Sequence, residues 1–151
     1  MVRQLPAWHE NVGKRQVKAP KVVRDTGILH ALLGMTGVRE METHPKVGAS
    51  WEGFALEAAV ARLGARPEEC FFWATHGGAE LDLLVVRGSR RRGFEFKRTT
   101  SPTSTRSLRI AQQDLGIPDL VVVHAASRSF PLGEGLRAVA AARIQEDVKP
   151  L

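Results

Sequence analysis

The sequence predicts an α/β domain, on three observations. Residues 80–97 read as a hairpin: an apolar strand over 80–86, a turn at Gly88-Ser89, and a second strand over 93–97. Residues 119–124 are rich in valine and do not alternate, as expected of a strand covered on both faces. Between them, residues 107–115 carry an amphipathic helical pattern with Leu108, Ala111, Gln112 and Leu115 on the inner stripe. Strand, helix and strand in that order form a crossover onto one sheet.

The other elements follow in chain order. Residues 1–24 are basic and broken by Pro6, Gly13 and Pro20, which predicts an extended arm or linker in which Lys14, Arg15, Lys18 and Lys21 can touch phosphate. The domain proper is expected over 25–151. Asp25-Thr26-Gly27 starts a helix whose apolar face is Ile28, Leu29, Leu32 and Leu33, and Gly34 stops it. Residues 37–48 read as a loop, with Pro45 and Gly48 as breakers. Ser50 is the candidate N-cap of a helix over 51–63, with Gly64 as its stop. At 100° per residue, Glu52, Leu56, Ala59 and Leu63 share one inward stripe, and Glu57 lies roughly 140° away, facing solvent. Residues 70–75 form an aromatic strand bounded by His76-Gly77-Gly78. Along 80–86, strict alternation puts Glu80, Asp82, Leu84 and Val86 on one face and Leu81, Leu83 and Val85 on the other. Residues 136–144 fit a helix or a strand followed by a helix.

Composition bounds the function. At 151 residues and 43% hydrophobic content, the chain can bury an ordinary single core. A net charge of +6 favours a polyanionic partner such as nucleic acid. The lone Cys70 excludes an intramolecular disulfide and fits a reducing cytoplasm. No apolar run approaches the roughly 20 residues of a membrane span, so no membrane association is expected.

The chemistry-bearing residues lie on the hairpin. Glu95 and Lys97 are two apart on one strand and share a face, while Phe94 and Phe96 take the other. Asp82 sits on the strand before. Two carboxylates and an ammonium in the middle of a sheet are costly to bury without a purpose. A divalent metal supplies one: Mg²⁺ or Mn²⁺ takes hard oxygen ligands, and Asp82, Glu95 and the backbone carbonyl of Phe96 can provide three. Lys97 can then orient or deprotonate an attacking water, or stabilise a pentacovalent phosphate. Glu52 either completes the set from its helix through a metal-bound water or is satisfied by the helix N-terminus alone. The alternative is a structural ion-pair cluster in which Lys97 neutralises the acids. Arg90, Arg91 and Arg92, at the hairpin turn, and Arg98 are the candidate grip on a phosphate backbone, with Arg106 and Arg109 extending the rim. The five histidines lack metal-ligand spacing; His76 and His124 lie at strand ends, where one of them can edge the site. Trp8, Trp51 and Trp73 read as packing residues, and Gln112 as a buried amide bonded to backbone or reaching the site.

The ordered set of a helix glutamate, Gly78-x-Glu80-x-Asp82 and Glu95-x-Lys97 resembles the PD-(D/E)XK nuclease superfamily. Nearly the whole chain also resembles the domain of unknown function found at the C-terminal end of prokaryotic AAA-type ATPases. The matching text is Leu5-Pro6, Asn11 to Arg15, Val17 to Val22, Asp25 to Leu29, Gly48 to Phe54, Ala79 to Asp82 and Phe94 to Lys97. The resemblance implies a central mixed sheet flanked by helices, a restriction-endonuclease-like core. It makes Asp82, Glu95 and Lys97 the catalytic signature and Glu52 the helix acid. Such proteins usually carry an upstream P-loop ATPase module and a winged-helix-like connector. Here Gly-x4-Gly-Lys-Ser/Thr is absent, so ATP hydrolysis is not assigned. The function expected is metal-dependent hydrolysis of DNA phosphodiesters, with an ATPase module or a second copy of the chain as further partners. The alternative is a non-catalytic nucleic-acid-binding, regulatory or protein-interaction domain of such an ATPase.

Overall fold

The structure, a computed structural model, describes residues 2–8 and 21–151. Lys14, Arg15 and Lys18, the segment 9–20 of the resemblance, and the side chain of Lys21 lie outside the described residues. The element order is β1 (Val2–Gln4), β2 (Lys21–Val23), α1 (Thr26–Leu32), α2 (Val38–Thr43), α3 (Val47–Leu63), β3 (Cys70–Ala74), β4 (Glu80–Arg87), β5 (Arg90–Lys97), α4 (Arg106–Asp114), β6 (Leu120–His124), β7 (Phe130–Gly133), β8 (Leu136–Ala140) and α5 (Ile144–Asp147).

Six strands form one mixed sheet in the order β3-β4-β5-β6-β8-β7. The β3-β4-β5 meander is antiparallel, β5, β6 and β8 run parallel, and β7 returns antiparallel to β8. Helices cover both faces. On one, Leu56, Ala59, Val60 and Leu63 of α3 pack on Leu83, Val85, Phe94, Phe96, Val121 and Val123. On the other, Leu108, Ala111 and Leu115 of α4 pack on Leu84, Leu120 and Val122. Burial on both faces is why β6 shows no alternation. Among the described residues no helix is long and apolar enough to cross a membrane.

Several expectations need correction. Residues 2–8 are not a free arm: β1 pairs antiparallel with β2, Leu5 is buried in the core, and Ala7 bridges to Phe72. The ribbon lies close over α3 because position 53 is glycine; a Cβ there would meet Val22 Cγ1 at 2.8 Å. The second helix begins one turn early, at Val47 after the cap residue Lys46, and Ser50 is buried inside it, bonded to His30 Nε2 at 2.7 Å. Its end is as expected, with Gly64 left-handed at φ 60°. Glu57 does not face solvent freely; it pairs with Arg3. Residues 37–48 contain α2 instead of being all loop. In α1, Asp25 caps Ile28 N as expected, but Ile28 and Leu32 are exposed. Residues 136–144 resolve as β8 followed by the start of α5.

The strict alternation expected of β4 also fails. Phe71 pairs with Leu84 and Trp73 with Leu81, so β4 spends three residues where β3 spends two. That is a β-bulge, and its extra residue reverses the alternation. Leu81 therefore joins Leu84 in the core under α4, while Leu83 and Val85 face α3.

Candidate functional site

The bulge lies beside Asp82. The β4–β5 ladder ends at Leu83–Phe94, and one residue further on the Asp82 side chain replaces the ladder: its Oδ2 accepts from the Phe96 amide at 2.8 Å. Next to it on β5, Glu95 and Lys97 alternate onto the face that carries Val122 and His124 of β6. Lys97 Nζ lies 3.0 Å from Glu95 Oε1. Glu52, one turn into α3, reaches the same strand end and lines one cleft with Glu95, Lys97 and Arg98. The structure thus brings Glu52, Asp82, Glu95 and Lys97 together.

Charge is unbalanced there. Burial, then repulsion from Asp82, pushes Glu95 up to about 7, against the pull of Lys97. Burial likewise raises Asp82, offset in part by the Phe96 amide and by Lys97. Burial also raises Glu52. For Lys97, burial pulls the ammonium down, but Glu95, Asp82 and Glu52 outweigh it and hold Lys97 above its usual range. Glu95 Oε2 is buried without a hydrogen-bond donor. A proton on Glu95 would bridge the two carboxyls; so would a cation.

Among the described residues no group of three or more His, Cys, Asp or Glu is placed to hold a metal. Two carboxylates suffice for Mg²⁺, which commonly keeps several waters. The unpartnered Glu95 oxygen and the excess of acid over ammonium suit such an ion. The Phe96 contact seen is through its amide, not its carbonyl.

The carboxylates open into a cleft of about 590 Å³. One wall is Val47, Gly48 and Glu52 of α3; the other is the β5–α4 loop, with Thr99, Ser101, Thr103 and Thr105. The sequence reading overlooked this loop, although its run of hydroxyl residues directly after Lys97 marked it. Thr105 caps α4 by accepting from Leu108 N, and Ser107 bonds both backbone groups of Glu80, which anchors the loop to the start of β4.

The arginines divide. Arg98 lines the cleft. Arg90, Arg91 and Arg92 lie at the other end of the hairpin, six residues or about 20 Å from Lys97 in the case of Arg91. Arg91 also donates to Leu115 O and covers the Trp8 ring, and Arg92 pairs with Asp119. Arg109 bonds Ser104 and Glu134 O, and Gln112 donates to Gly135 O at 2.9 Å, which ties it to backbone away from the carboxylates. His124 is the ladder partner of Lys97 but is wholly buried, its ring 5.6 Å from Phe130 and its Nδ1 accepting from Ala126 N. His76 is exposed in the β3–β4 turn. A larger open depression of about 650 Å³, over Ser127 to Pro131, has no part of the carboxylate set; its Arg137 and Arg143 are held by Asp119 and Asp147.

Fold and cleft define an α/β domain with a carboxylate–lysine site at the end of its central strands. The chain belongs to the family described as "Domain of unknown function (DUF4143)", whose model matches residues 47–144 and so spans all four clustered residues. Residues 1–39 match a second "Domain of unknown function (DUF8612)". The chain is 46% identical over 145 residues to an uncharacterised protein of Mycobacterium tuberculosis and, equally, to one of Mycobacterium bovis. The match covers 95% of this chain and 32% of each relative, so the chain spans about a third of the length of the curated relatives it matches. No solved structure matches it.

Proposed function

We propose that this domain is a metal-dependent phosphodiesterase acting on DNA, with a PD-(D/E)XK-type, restriction-endonuclease-like core. The carrying observation is the convergence of Asp82, Glu95 and Lys97 at one strand end, with a buried, unpartnered Glu95 oxygen. Asp82 and Glu95 would hold Mg²⁺ or Mn²⁺, which supplies Lewis-acid stabilisation and a more acidic water. The residues themselves have distinct tasks. The Phe96 amide fixes the Asp82 carboxylate in one orientation. Lys97, held protonated by three surrounding acids, is suited to stabilising negative charge on the phosphate and poorly suited to acting as a base. Glu52, on the cleft wall opposite the β5–α4 loop, orients water at the cleft mouth. Arg98 contacts the phosphate backbone. The setting we assign is the cytoplasm, as part of or beside an AAA-type ATPase.

The test is incubation of the chain with plasmid, linear duplex and single-stranded DNA in Mg²⁺ or Mn²⁺, beside Lys97→Ala. Cleavage lost in a folded Lys97→Ala protein supports the reading. Salt-dependent DNA binding without cleavage by the wild type would make the domain a binding or regulatory module instead.

A further inference from the structure

A second cavity adjoins the cleft. It is a groove of about 280 Å³ between α1, α2 and α3, and it shares Val47 and Arg98 with the cleft. Its character is different. Trp51 and Phe54, three apart on α3 and so on neighbouring helix positions, form one wall, and Val38 and Met41 of α2 face them. Phe54 is 54% exposed although it sits on the longest helix of the fold. Single exposed apolar residues need no explanation, but an exposed aromatic lining a cavity that continues into a charged cleft does. Polar groups are present too: His30 and Ser50, bonded to each other, and the Glu42 carboxylate also line the groove. Arg98 stands between the two cavities, exposed and without a carboxylate partner among the described residues.

A polynucleotide strand has this same sequence of chemistries, an anionic phosphate followed by a flat, largely apolar base with polar edges. We propose that the groove takes an unpaired nucleobase next to the phosphate bound in the cleft, with Phe54 as its stacking surface and Arg98 on the intervening backbone. The substrate class is then single-stranded or locally unpaired nucleic acid, because a paired base is stacked inside its duplex and offers no face to an aromatic side chain. The inference rests on the phosphodiesterase reading for the phosphate in the cleft. Continuity of the groove with the cleft, and the cation at their junction, favour a nucleic acid strand over a protein segment.

The experiment is fluorescence anisotropy with a labelled twelve-residue oligothymidylate and a labelled blunt-ended, two-stranded duplex, without divalent ions, on wild type, Phe54→Ala and Phe54→Trp. Base–aromatic stacking makes Phe54→Ala weaken oligothymidylate binding on the order of tenfold, with duplex affinity and the protein's melting temperature unchanged. Phe54→Trp keeps the wild-type affinity. Equal loss on both ligands, no loss on oligothymidylate, no binding of it by the wild type, or loss in Phe54→Trp as well would each overturn the proposal. So would light scattering in which Phe54→Ala dissociates a wild-type dimer while leaving oligonucleotide affinity intact. Binding scored without divalent ions needs no cleavage. A Phe54-dependent preference for the single strand in a protein that never cuts would therefore retain the base site and discard hydrolysis. Cleavage that requires Lys97, with binding indifferent to Phe54, would do the reverse.

Discussion

The Asp82 carboxylate accepts the hydrogen bond that the Phe96 amide would otherwise donate to a β4 carbonyl, at 2.8 Å, where the β4–β5 ladder ends. A side chain has replaced backbone because β4 is bulged at this point, so the strand that carries the first acid is also locked to the strand that carries the second acid and the lysine. The contact couples site geometry to sheet stability.

Asp82→Ala and Asp82→Asn should therefore differ. Alanine leaves the Phe96 amide without an acceptor, at a cost of about 1–3 kcal/mol. Asparagine keeps an acceptor oxygen and removes repulsion with Glu95, so its denaturation midpoint stays near wild type. Equal loss in the two variants would mean the hydrogen bond contributes nothing.

Glu95 sets a pH dependence of stability. Its carboxyl is shifted from 4.5 to about 7 by burial and by Asp82, so the folded chain binds a proton more tightly than the unfolded one across that interval. Stability contributed by this group is fully present below about pH 4.5 and is lost as pH rises through 7. At pH 8 without divalent ions, Glu95→Gln should raise stability, by at most about 3 kcal/mol. It should also flatten the slope of melting temperature against pH between 5 and 8. A Glu95→Gln protein less stable than wild type at pH 8 would contradict the shift.

The same proton competes with a cation. Calorimetric titration with Mn²⁺ should show saturable binding that strengthens about tenfold per pH unit up to neutrality and then levels off, as one proton is displaced. Asp82→Asn should lose it. Binding that persists in Asp82→Asn, or is flat from pH 6 to 8, would place the ion elsewhere.

The parts of the site legible in the sequence are those with regular periodicity. On β5, Glu95 and Lys97 obey strand alternation because Phe94 and Phe96 are both pinned under α3. On α3, the stripe through Leu56, Ala59 and Leu63 is buried as its spacing requires, and it carries Glu52 to the strand end. What was not legible came from distant parts of the chain. The bulge in β4 depends on pairing with β3, and no residue of 80–86 announces it. Ser50, expected as the cap of α3, instead lies inside it and bonds His30 of another helix. The arginines of the hairpin turn are close to Lys97 in sequence, but each residue of an extended strand adds about 3.3 Å, so the hairpin carries them away from it.

Glu57 is the clearest case of such distance, and it gives the last prediction. Helical geometry alone directs it to solvent, yet Arg3, 54 positions earlier, covers it, and both side chains are largely buried. Arg24 adds a second, longer contact at 3.4 Å. Arg3 is itself delivered by the β1–β2 ribbon, which can approach α3 because residue 53 is glycine. Removing one partner of a buried pair leaves an uncompensated charge, so Arg3→Ala should destabilise the domain by about 3 kcal/mol in denaturant titrations. Replacing both partners with apolar residues of similar volume, Arg3→Met with Glu57→Leu, should recover most of that loss. Gly53→Leu, which pushes the ribbon off α3, should mimic Arg3→Ala in stability. A loss below about 0.5 kcal/mol for Arg3→Ala, within the range of ordinary surface substitutions, would mean that the ribbon rests on the domain without supporting it.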